Sequence, residues 1–284
     1  MSQASRRLIV TADDFGLSWA VNEAVERASR DGILTCASLM VGEEAAEDAV
    51  ARARRLPRLR VGLHVVVAEG RPVLAPERIP ALCDAHGRLD GRLVHAGFRF
   101  FFRPQARRQL ADEIEAQFAA FMRTGLPLDH VNAHKHMHLH PTVLGLILRI
   151  GRRYGMRAVR LPYEPSTVAV SPRAWRKHWK AASVTGLWTW LMRQRLDRAG
   201  VLHNDAVMGL LQSGALDEAA VMQLLGNLPS GVTELYCHPA VDDDAGALAL
   251  GYRKKAEFEA LVSLKVAAAL REEGIVRVGF GDLG

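Results

Sequence analysis

Short apolar runs alternate with amphipathic helical segments along this chain, and that alternation restricts the possible folds more than any other feature. The first run, RLIVTA at 7–12, is rich in aliphatic and β-branched residues and stops at charged ones, which is typical of a buried parallel strand. Helical patterns follow, the first at 18–30 with Ser18 as its N-cap and the last a single long helix over 254–274. Similar strand-like runs occur at 33–40, 59–67, 130–134, 157–161, 233–238 and 275–280.

Strands that alternate with helices pair in parallel through right-handed crossovers. About seven strand–helix units in 284 residues fit an irregular or incomplete (β/α) barrel. The predicted fold class is therefore α/β, with a TIM-barrel-like single domain over residues 1–284. A doubly wound open sheet is the alternative, although no G-x-G-x-x-G dinucleotide motif follows the first strand.

Composition excludes several other classes of protein. Apolar residues make up 49% of the chain, which is enough for a large core and argues against disorder. No apolar stretch approaches the ~20 residues of a membrane-spanning helix. The net charge is only +6 and no nucleic-acid-binding motif is present, so no nucleic-acid partner is expected. Three cysteines without a C-x-x-C pair favour free thiols and a cytoplasmic location.

Charged and histidine residues stand at the ends of four predicted strands, where (β/α) folds place their functional groups. They are Asp13 and Asp14, His64, a histidine-rich stretch at 130–140, and His238. Each has a structural alternative, because paired aspartates form turns or caps, a histidine in an apolar strand is often a core residue, and a histidine before proline can shape a loop. Adjacent residues on a strand face opposite sides, so Asp13 and Asp14 enter one pocket only if the strand has already ended.

The stretch HVNAHKHMHLHP contains five of the 11 histidines, mostly at alternate positions. On an extended backbone, residues i and i+2 share a face, so His134, His136 and His138 are expected to point the same way. Imidazoles with nearby carboxylates are typical ligands of a catalytic divalent ion. Such an ion lowers the pKa of bound water toward ~7, and a carboxylate that does not bind the ion can take the proton.

Four motifs in combination resemble those of the YdjC-like carbohydrate deacetylases: TADDFG, GLH, NAHKHMH and YCHP. The strings VNEAVERA, ASLMVG and VRLPYEP are similar to the hopanoid-biosynthesis-associated branch of that family. The resemblance implies a metal-dependent N-deacetylase on an irregular (β/α) barrel, in which metal-activated water attacks the acetamide of an N-acetylated amino sugar. For this branch it implies that the sugar is an N-acetylglucosaminyl group attached to a hopanoid lipid.

The resemblance also assigns roles to individual residues. It implies that Asp14, His64 and His134 bind one divalent ion, with Asp13 as the general base and His238 as the general acid. The wider family implies Mg²⁺, whereas two imidazoles and a carboxylate also suit Zn²⁺, Co²⁺ or Mn²⁺.

A more distant resemblance concerns the segment RLPY at 160–163, which is similar to the R-x-P-Y element of NodB-type polysaccharide deacetylases. That resemblance implies that Arg160 orients the catalytic aspartate, a task that suits the bidentate geometry of a guanidinium. An exposed cation at a strand end is the alternative. His136, His138 and Tyr163 are candidates for binding substrate or supporting the metal ligands.

The segment 171–200 has the composition of a helix at a membrane interface. It holds seven Lys/Arg, one acid and four of the five tryptophans, and the stretch 98–108 also joins aromatics to arginines. We expect a basic, tryptophan-rich insertion or helix there, which either meets the inner membrane surface or packs over the barrel. A lipid-linked substrate would explain both stretches, because the enzyme must then reach a sugar at a bilayer surface. The sequence leaves the oligomeric state open, and a homo-oligomer is possible. A metal-dependent phosphoesterase and a non-catalytic lipid-binding protein are the competing functions.

Overall fold

Parallel strands form the centre of the fold in the computed structural model, which describes residues 6–165, 172–243 and 251–284, with side chains omitted over 172–185. The described strands pair in the order β4-β3-β2-β1-β6-β5, and β7 pairs with the first part of β1. Their bounds are β1 (Arg6–Phe15), β2 (Cys36–Leu39), β3 (Arg60–Val65), β4 (Val131–Ala133), β5 (Ala206–Met208), β6 (Gly231–Cys237) and β7 (Val276–Arg277).

Helices flank this sheet and bury its apolar faces. Their bounds are α1 (Trp19–Asp31), α2 (Ala46–Ala53), α3 (Leu93–Phe102), α4 (Pro104–Arg123), α5 (Pro141–Gly151), α6 (Pro172–Ala199), α7 (Glu218–Gly226), α8 (Lys254–Leu261) and α9 (Leu264–Glu272). One hydrophobic cluster runs from Leu8 on β1 through Phe118 on α4 to Leu270 on α9, so strands and helices share a core.

The predicted α/β class with parallel pairing is confirmed, and the sheet curls into a half barrel. Strands β1 to β4 lie side by side in chain order. Beyond β4, the predicted strand at 157–161 is wrong as a continuous element, because it contributes only isolated parallel bridges, Val159 with Val131 and Ala158 with Leu202. Strand β5 is too short to be recognised in the sequence and was not predicted.

The first helix forms as its sequence indicates. The Ser18 side chain accepts a hydrogen bond from the Val21 backbone N–H and caps α1, and Val25 and Ala28 lie on the buried face. Trp19 shares the predicted apolar spacing but is 59% exposed, because it stands at the first helical position rather than over the sheet.

The long helix predicted over 254–274 is wrong, because the chain breaks there into α8 and α9. Ser263 causes the break: its hydroxyl accepts hydrogen bonds from the backbone N–H groups of Lys265 and Val266. A serine that caps a new helix competes with continuation of the preceding one, which apolar spacing alone does not reveal.

The basic, tryptophan-rich segment forms α6 over residues 172–199. Ser171 and the side chains of Trp175 and Trp179 lie outside the described residues. Trp188 and Trp190 are 38% and 55% exposed, so they do not pack fully against the sheet. Among the described residues, no helix combines the length and apolarity that crossing a bilayer requires.

Candidate metal centre and active site

The carboxyl end of β1 brings two adjacent aspartates to the same side. Asp14 has a left-handed backbone, with φ of 61°, and the pairing of β1 with β2 shifts register between Ala12 and Phe15. A bulge of this kind redirects side chains at a strand end. Asp13 and Asp14 therefore enter one buried site. Two adjacent residues can do so only where the regular strand has ended, and the bulge meets that condition.

Asp14, His64 and His134 form a compact buried cluster from three strand ends. Asp14 Oδ1 lies 3.0 Å from His134 Nδ1 and 3.3 Å from His64 Nε2. One possible ligand atom from each residue falls within 4.8 Å of the others. The three residues predicted to bind a metal are thus close enough to share one ion.

Hydrogen bonding around the cluster fits a cation. His64 Nδ1 lies 2.6 Å from the Asn132 side-chain oxygen, so this nitrogen carries a proton, and Nε2 is the ring nitrogen that faces Asp14. His134 Nε2 is buried and has no hydrogen-bond partner among the described residues. A positive charge between the ring nitrogens and the Asp14 carboxylate would stabilise their lone pairs. Two imidazoles with one carboxylate suit a divalent transition ion.

The electrostatics agree with that donor set. Burial disfavours the charged form of His64, but the neighbouring Asp13 and Asp14 carboxylates outweigh burial and raise the pKa of His64. Burial likewise opposes ionisation of Asp14, yet His134 and the other histidines hold the pKa of Asp14 well below its usual range. The site therefore favours a carboxylate with positive charge beside it.

Asp13 does not join the ligand cluster but is held beside it. Both of its oxygens accept hydrogen bonds from Arg160, and Oδ1 also accepts one from Asn132 Nδ2 at 3.0 Å. Burial opposes ionisation, but the Arg160 guanidinium outweighs it and holds the pKa of Asp13 well below its usual range. Asp13 is consequently an oriented, ionised carboxylate.

Arg160 is fully buried, so the alternative of an exposed cation at a strand end is wrong. Besides Asp13, its guanidinium binds Glu234 of β6 through two hydrogen bonds of 2.7 and 2.8 Å. Tyr236 lies beneath it, with the guanidinium carbon 5.0 Å from the ring centre. Sequence reasoning missed Glu234, although a glutamate within a buried strand needs a charged partner and was a usable signal.

The histidine-rich stretch does not follow the extended backbone expected for it. Strand β4 ends at Ala133, and residues 134–139 form a 3₁₀ segment in which Lys135 and His136 have left-handed backbones, with φ of 53° and 52°. The extended backbone expected there is therefore wrong, because the chain turns tightly as it passes from β4 into α5. His136 and His138 nevertheless lie close together, with ring centroids 5.9 Å apart.

Of the five histidines in this stretch, His134 enters the three-residue ligand cluster. His130 belongs to a second group, with Cys36 and Asp129, whose ligand atoms also lie within 4.8 Å of one another. His136 contacts the Tyr236 ring at 5.2 Å, and burial lowers its pKa well below the usual range. His138 is buried beside it, and burial lowers the pKa of His138 to about 3. Both rings are thus held neutral next to the site. His140 instead caps α5 by accepting from the Thr142 N–H.

His238 follows β6 and faces the same edge of the sheet. Its backbone N–H donates to Glu257, and its ring lies 5.4 Å from Tyr236 and 5.2 Å from Tyr252. His238 is among the groups that lower the pKa values of Asp13 and Asp14, which agrees with a position close to both carboxylates. His238 Nδ1 is buried without a hydrogen bond among the described residues, so it is available to a bound molecule.

Tyr163 lies at the margin of this arrangement. Its side chain is 41% exposed, and its backbone carbonyl accepts from Val207 N–H at 2.7 Å. Among the described residues, no hydrogen bond or ring contact joins its side chain to the ligand cluster. A role for Tyr163 in substrate binding stays a prediction.

A charged pair at the rim was missed entirely by the sequence reasoning. Glu69 has a left-handed backbone with φ of 53°, and its carboxylate lies 3.0 Å from Lys135 Nζ and 4.0 Å from His134 Nε2. Glu69 lies in the loop four residues beyond the end of β3, and a single loop glutamate gives no local signal of such proximity.

The chain is similar to proteins of known family along nearly its full length. The matching family model is described as YdjC-like protein and spans residues 7–272. A carbohydrate deacetylase of Geobacillus stearothermophilus is 30% identical over 283 residues, which cover 98% of each chain. One from Brevibacillus brevis is 28% identical over 284 residues, covering 98% of this chain and 100% of the other.

A solved structure from Enterococcus faecalis V583, a proposed cellobiose-phosphate cleavage protein, matches with a TM-score of 0.76 and 25% identity over 99% of both chains. Its fold and that of the present protein therefore agree over the full length of the sheet and helices. Since the family match covers 7–272 of 284 residues, the chain belongs to the YdjC-like protein family.

Proposed function

We propose that this protein is a divalent-metal-dependent N-deacetylase of acetylated amino sugars. The observation that carries the proposal is the buried cluster of Asp14, His64 and His134 beside an aspartate held by Arg160. The similarity to carbohydrate deacetylases over nearly the whole chain supports the same activity.

Asp14, His64 and His134 would hold the ion. A divalent ion bound by these side chains acts as a Lewis acid toward a carbonyl oxygen and toward water. The ligand set of two nitrogens and one oxygen favours Zn²⁺, Co²⁺ or Mn²⁺ over Mg²⁺, which prefers oxygen ligands.

Asp13 and His238 are the groups that move protons in the proposed reaction. Asp13 takes a proton from the attacking water as its oxygen bonds to the acetamide carbon. His238, in its protonated form, gives a proton to the amine nitrogen as the C–N bond breaks, so acetate and a free amine leave. Arg160 keeps Asp13 ionised and fixes its orientation. The same ion pair makes Asp13 a weaker base, because it stabilises the carboxylate.

The experiment measures acetate and phosphate released by the protein before and after removal of metal with a chelator. We expect acetate from N-acetylglucosamine derivatives, its loss on chelation and its return with Zn²⁺, Co²⁺ or Mn²⁺. Phosphate release from aryl phosphates without acetate release would identify a phosphoesterase instead. Absence of both activities in the metal-loaded protein would contradict the proposal.

A lipid-linked substrate, such as an N-acetylglucosaminyl hopanoid, forms the finer part of the proposal. It is supported by an aromatic patch, defined as Phe98 and Phe102 on α3 with Trp188 and Trp190 on α6, all between 38% and 72% exposed. The two helices meet through residues 139–141: the His140 ring lies 4.1 Å from Phe101, and Leu139 and Pro141 line a groove with both tryptophans.

The aromatic patch is connected to the site through the chain. Residues 139–141 join the end of the segment 134–139, which begins with the ligand His134, to the start of α5. A membrane-bound sugar would therefore approach the metal centre with its lipid at the aromatic patch, since exposed aromatics and arginines favour the interface of a bilayer. Comparing acetate release from a free sugar and from the same sugar on a lipid anchor tests this, and equal kcat/KM would contradict it.

A further inference from the structure

A buried row of hydrogen bonds crosses the sheet beneath the ligand cluster. Asp129 Oδ2 lies 2.9 Å from His130 Nδ1, and His130 Nε2 lies 3.0 Å from the Ser38 hydroxyl. Ser38 in turn accepts from Asn132 Nδ2 at 2.8 Å. His130, Ser38 and Asn132 are all fully buried, so no solvent competes for these bonds.

Asn132 occupies the junction between this row and the site. Its Nδ2 donates to both Ser38 and Asp13, and its Oδ1 faces His64 Nδ1 at 2.6 Å. Asp13 is a carboxylate bound by a guanidinium, so it can only accept. The amide nitrogen must therefore face Asp13, which leaves the amide oxygen facing His64.

The direction of donation is the same along the whole row. A carboxylate at Asp129 accepts, so His130 Nδ1 carries a proton and its Nε2 accepts from the Ser38 hydroxyl. Ser38 can then accept the amide proton of Asn132 with its own oxygen. Each donor has one acceptor, and reversal of any single bond would leave a buried group unsatisfied.

We propose that Asp129, His130, Ser38 and Asn132 form a positioning relay that holds the proton of His64 on Nδ1 and keeps Nε2 free to bind the divalent ion. The relay deepens the proposed function and rests on it. None of its four members belongs to the cluster of Asp14, His64 and His134, so they act through His64 and Asp13. Asp129 and His130 lie in a second group, with Cys36, whose ligand atoms could also hold an ion.

Packing around His130 supports a positioning role. Gly62 lies against this ring so closely that a Cβ there would come within 2.5 Å of it. Phe280 stacks on the ring with centroids 4.6 Å apart. The imidazole is thus held between the backbone of Gly62, which has no side chain, and the ring of Phe280. This packing fixes its orientation toward Ser38.

Asp129 offers a sharp test because both of its oxygens are occupied as acceptors. Oδ2 takes the His130 proton, and Oδ1 accepts from the Gly281 N–H at 2.9 Å. Asp129→Asn keeps the size of the side chain but places an NH₂ group against one of these donors. His130 can then relieve the conflict by moving its proton to Nε2, which reverses donation to Ser38 and disturbs Asn132.

The experiment measures Zn²⁺ affinity of the metal-free protein by competition with a chromophoric chelator, for the wild type, Asp129→Asn and Ser38→Ala. Loss of a partner behind a metal-binding histidine weakens metal affinity by about 10–100-fold, and we expect weakening of that order in both variants. Thr233→Val is the matched control, because it removes a buried hydroxyl without a hydrogen-bond partner among the described residues. This control should bind Zn²⁺ like the wild type.

A second readout follows the proton directly. Ring ¹⁵N shifts of His64 should show a protonated Nδ1 in the wild type and mixed tautomers in Asp129→Asn. Ser38→Ala leaves the His130 ring packing intact, so it remains informative if Asp129→Asn does not fold. Because Ser38 belongs to neither group of possible metal ligands, wild-type Zn²⁺ affinity in Ser38→Ala would overturn the relay, whereas a wild type that binds no divalent ion would overturn the proposed function.

Discussion

Arg160 and Asp13 meet as a fork against a fork: each carboxylate oxygen of Asp13 accepts from a different terminal nitrogen of Arg160, and neither side chain is open to solvent. The other edge of the guanidinium, formed by Nε and one terminal nitrogen, donates to Glu234. Such planar, two-pronged pairing fixes the angle of a carboxylate, which a flexible ammonium group does not do. The orientation of Asp13 therefore depends on a guanidinium at position 160.

The substitution Arg160→Lys should lower kcat while leaving the metal bound. Lysine keeps a positive charge but cannot satisfy both Asp13 and Glu234 in two-pronged fashion, so Asp13 loses its alignment. A loss of about 10–100-fold is expected, as for other groups that support an active-site residue from behind. Acetate release and elemental analysis of the purified protein provide the two measurements.

Arg153→Lys is a suitable control for that substitution. Arg153 forms an exposed ion pair with Glu115, 2.9 Å long, at the surface. Exposed pairs contribute little to stability, so this variant should match the wild type in both measurements. Loss of metal from Arg160→Lys would show instead that the arginine maintains the ligand cluster itself.

Asp13 and Asp14 should give opposite results although they are neighbours in the chain. Asp13→Asn removes the proposed proton acceptor, which commonly costs about 10²–10⁴ in rate, and should leave the ion in place. Asp14→Asn removes the carboxylate that contacts both histidines, so the metal content should fall. Metal per chain and acetate release, measured on the same preparations, distinguish the two roles. Equal metal loss in both variants would contradict them.

A site residue could be predicted from the sequence where a local pattern marks its position in the fold. The strand ends bearing Asp13, Asp14, His64 and His238 were recognisable because buried parallel strands have a distinct composition, and strand ends in such folds meet at one edge. The predicted need for an irregular exit was met by the left-handed backbone of Asp14.

Contacts between residues far apart in the chain could not be predicted from local sequence patterns. Asn132 and Ser38 come together across 94 residues, and Arg160 and Glu234 across 74. No spacing rule connects such pairs, because the curl of the sheet decides which side chains meet. The histidine-rich stretch was misread for a related reason: its alternate spacing suits a strand, but the entry into α5 imposes a turn at Lys135 and His136.

The buried His138 should make the stability of the protein depend on pH. Burial lowers its pKa from 6.5 to about 3, so between these values the unfolded chain binds a proton that the folded chain does not. Stability therefore rises with pH across this window and is lost as pH falls. From pH 7 to pH 5 this single group accounts for a loss of about 2 kcal/mol in the free energy of unfolding.

Urea unfolding at the two pH values measures that dependence. His138→Gln should lose less stability between pH 7 and pH 5 than the wild type, whatever its stability at pH 7. His86→Gln makes the same substitution at an exposed histidine and should keep the wild-type dependence. An unchanged dependence in His138→Gln would mean that His138 takes up its proton equally in the folded and unfolded wild-type chain.

The aromatic patch should bind anionic membranes through its exposed rings. Phe102 is 72% exposed and Trp190 is 55% exposed, so replacing them with serine removes apolar surface without opening a core cavity. Co-sedimentation of the wild type with vesicles of phosphatidylcholine and phosphatidylglycerol should exceed that of Phe102→Ser and Trp190→Ser.

Binding should weaken as salt rises, because screening reduces the attraction of the nearby arginines for anionic lipid. Leu264→Ser changes an apolar residue that is 84% exposed at the start of α9, and it should sediment like the wild type. Equal sedimentation of all four proteins would show that the aromatic patch does not contact the bilayer.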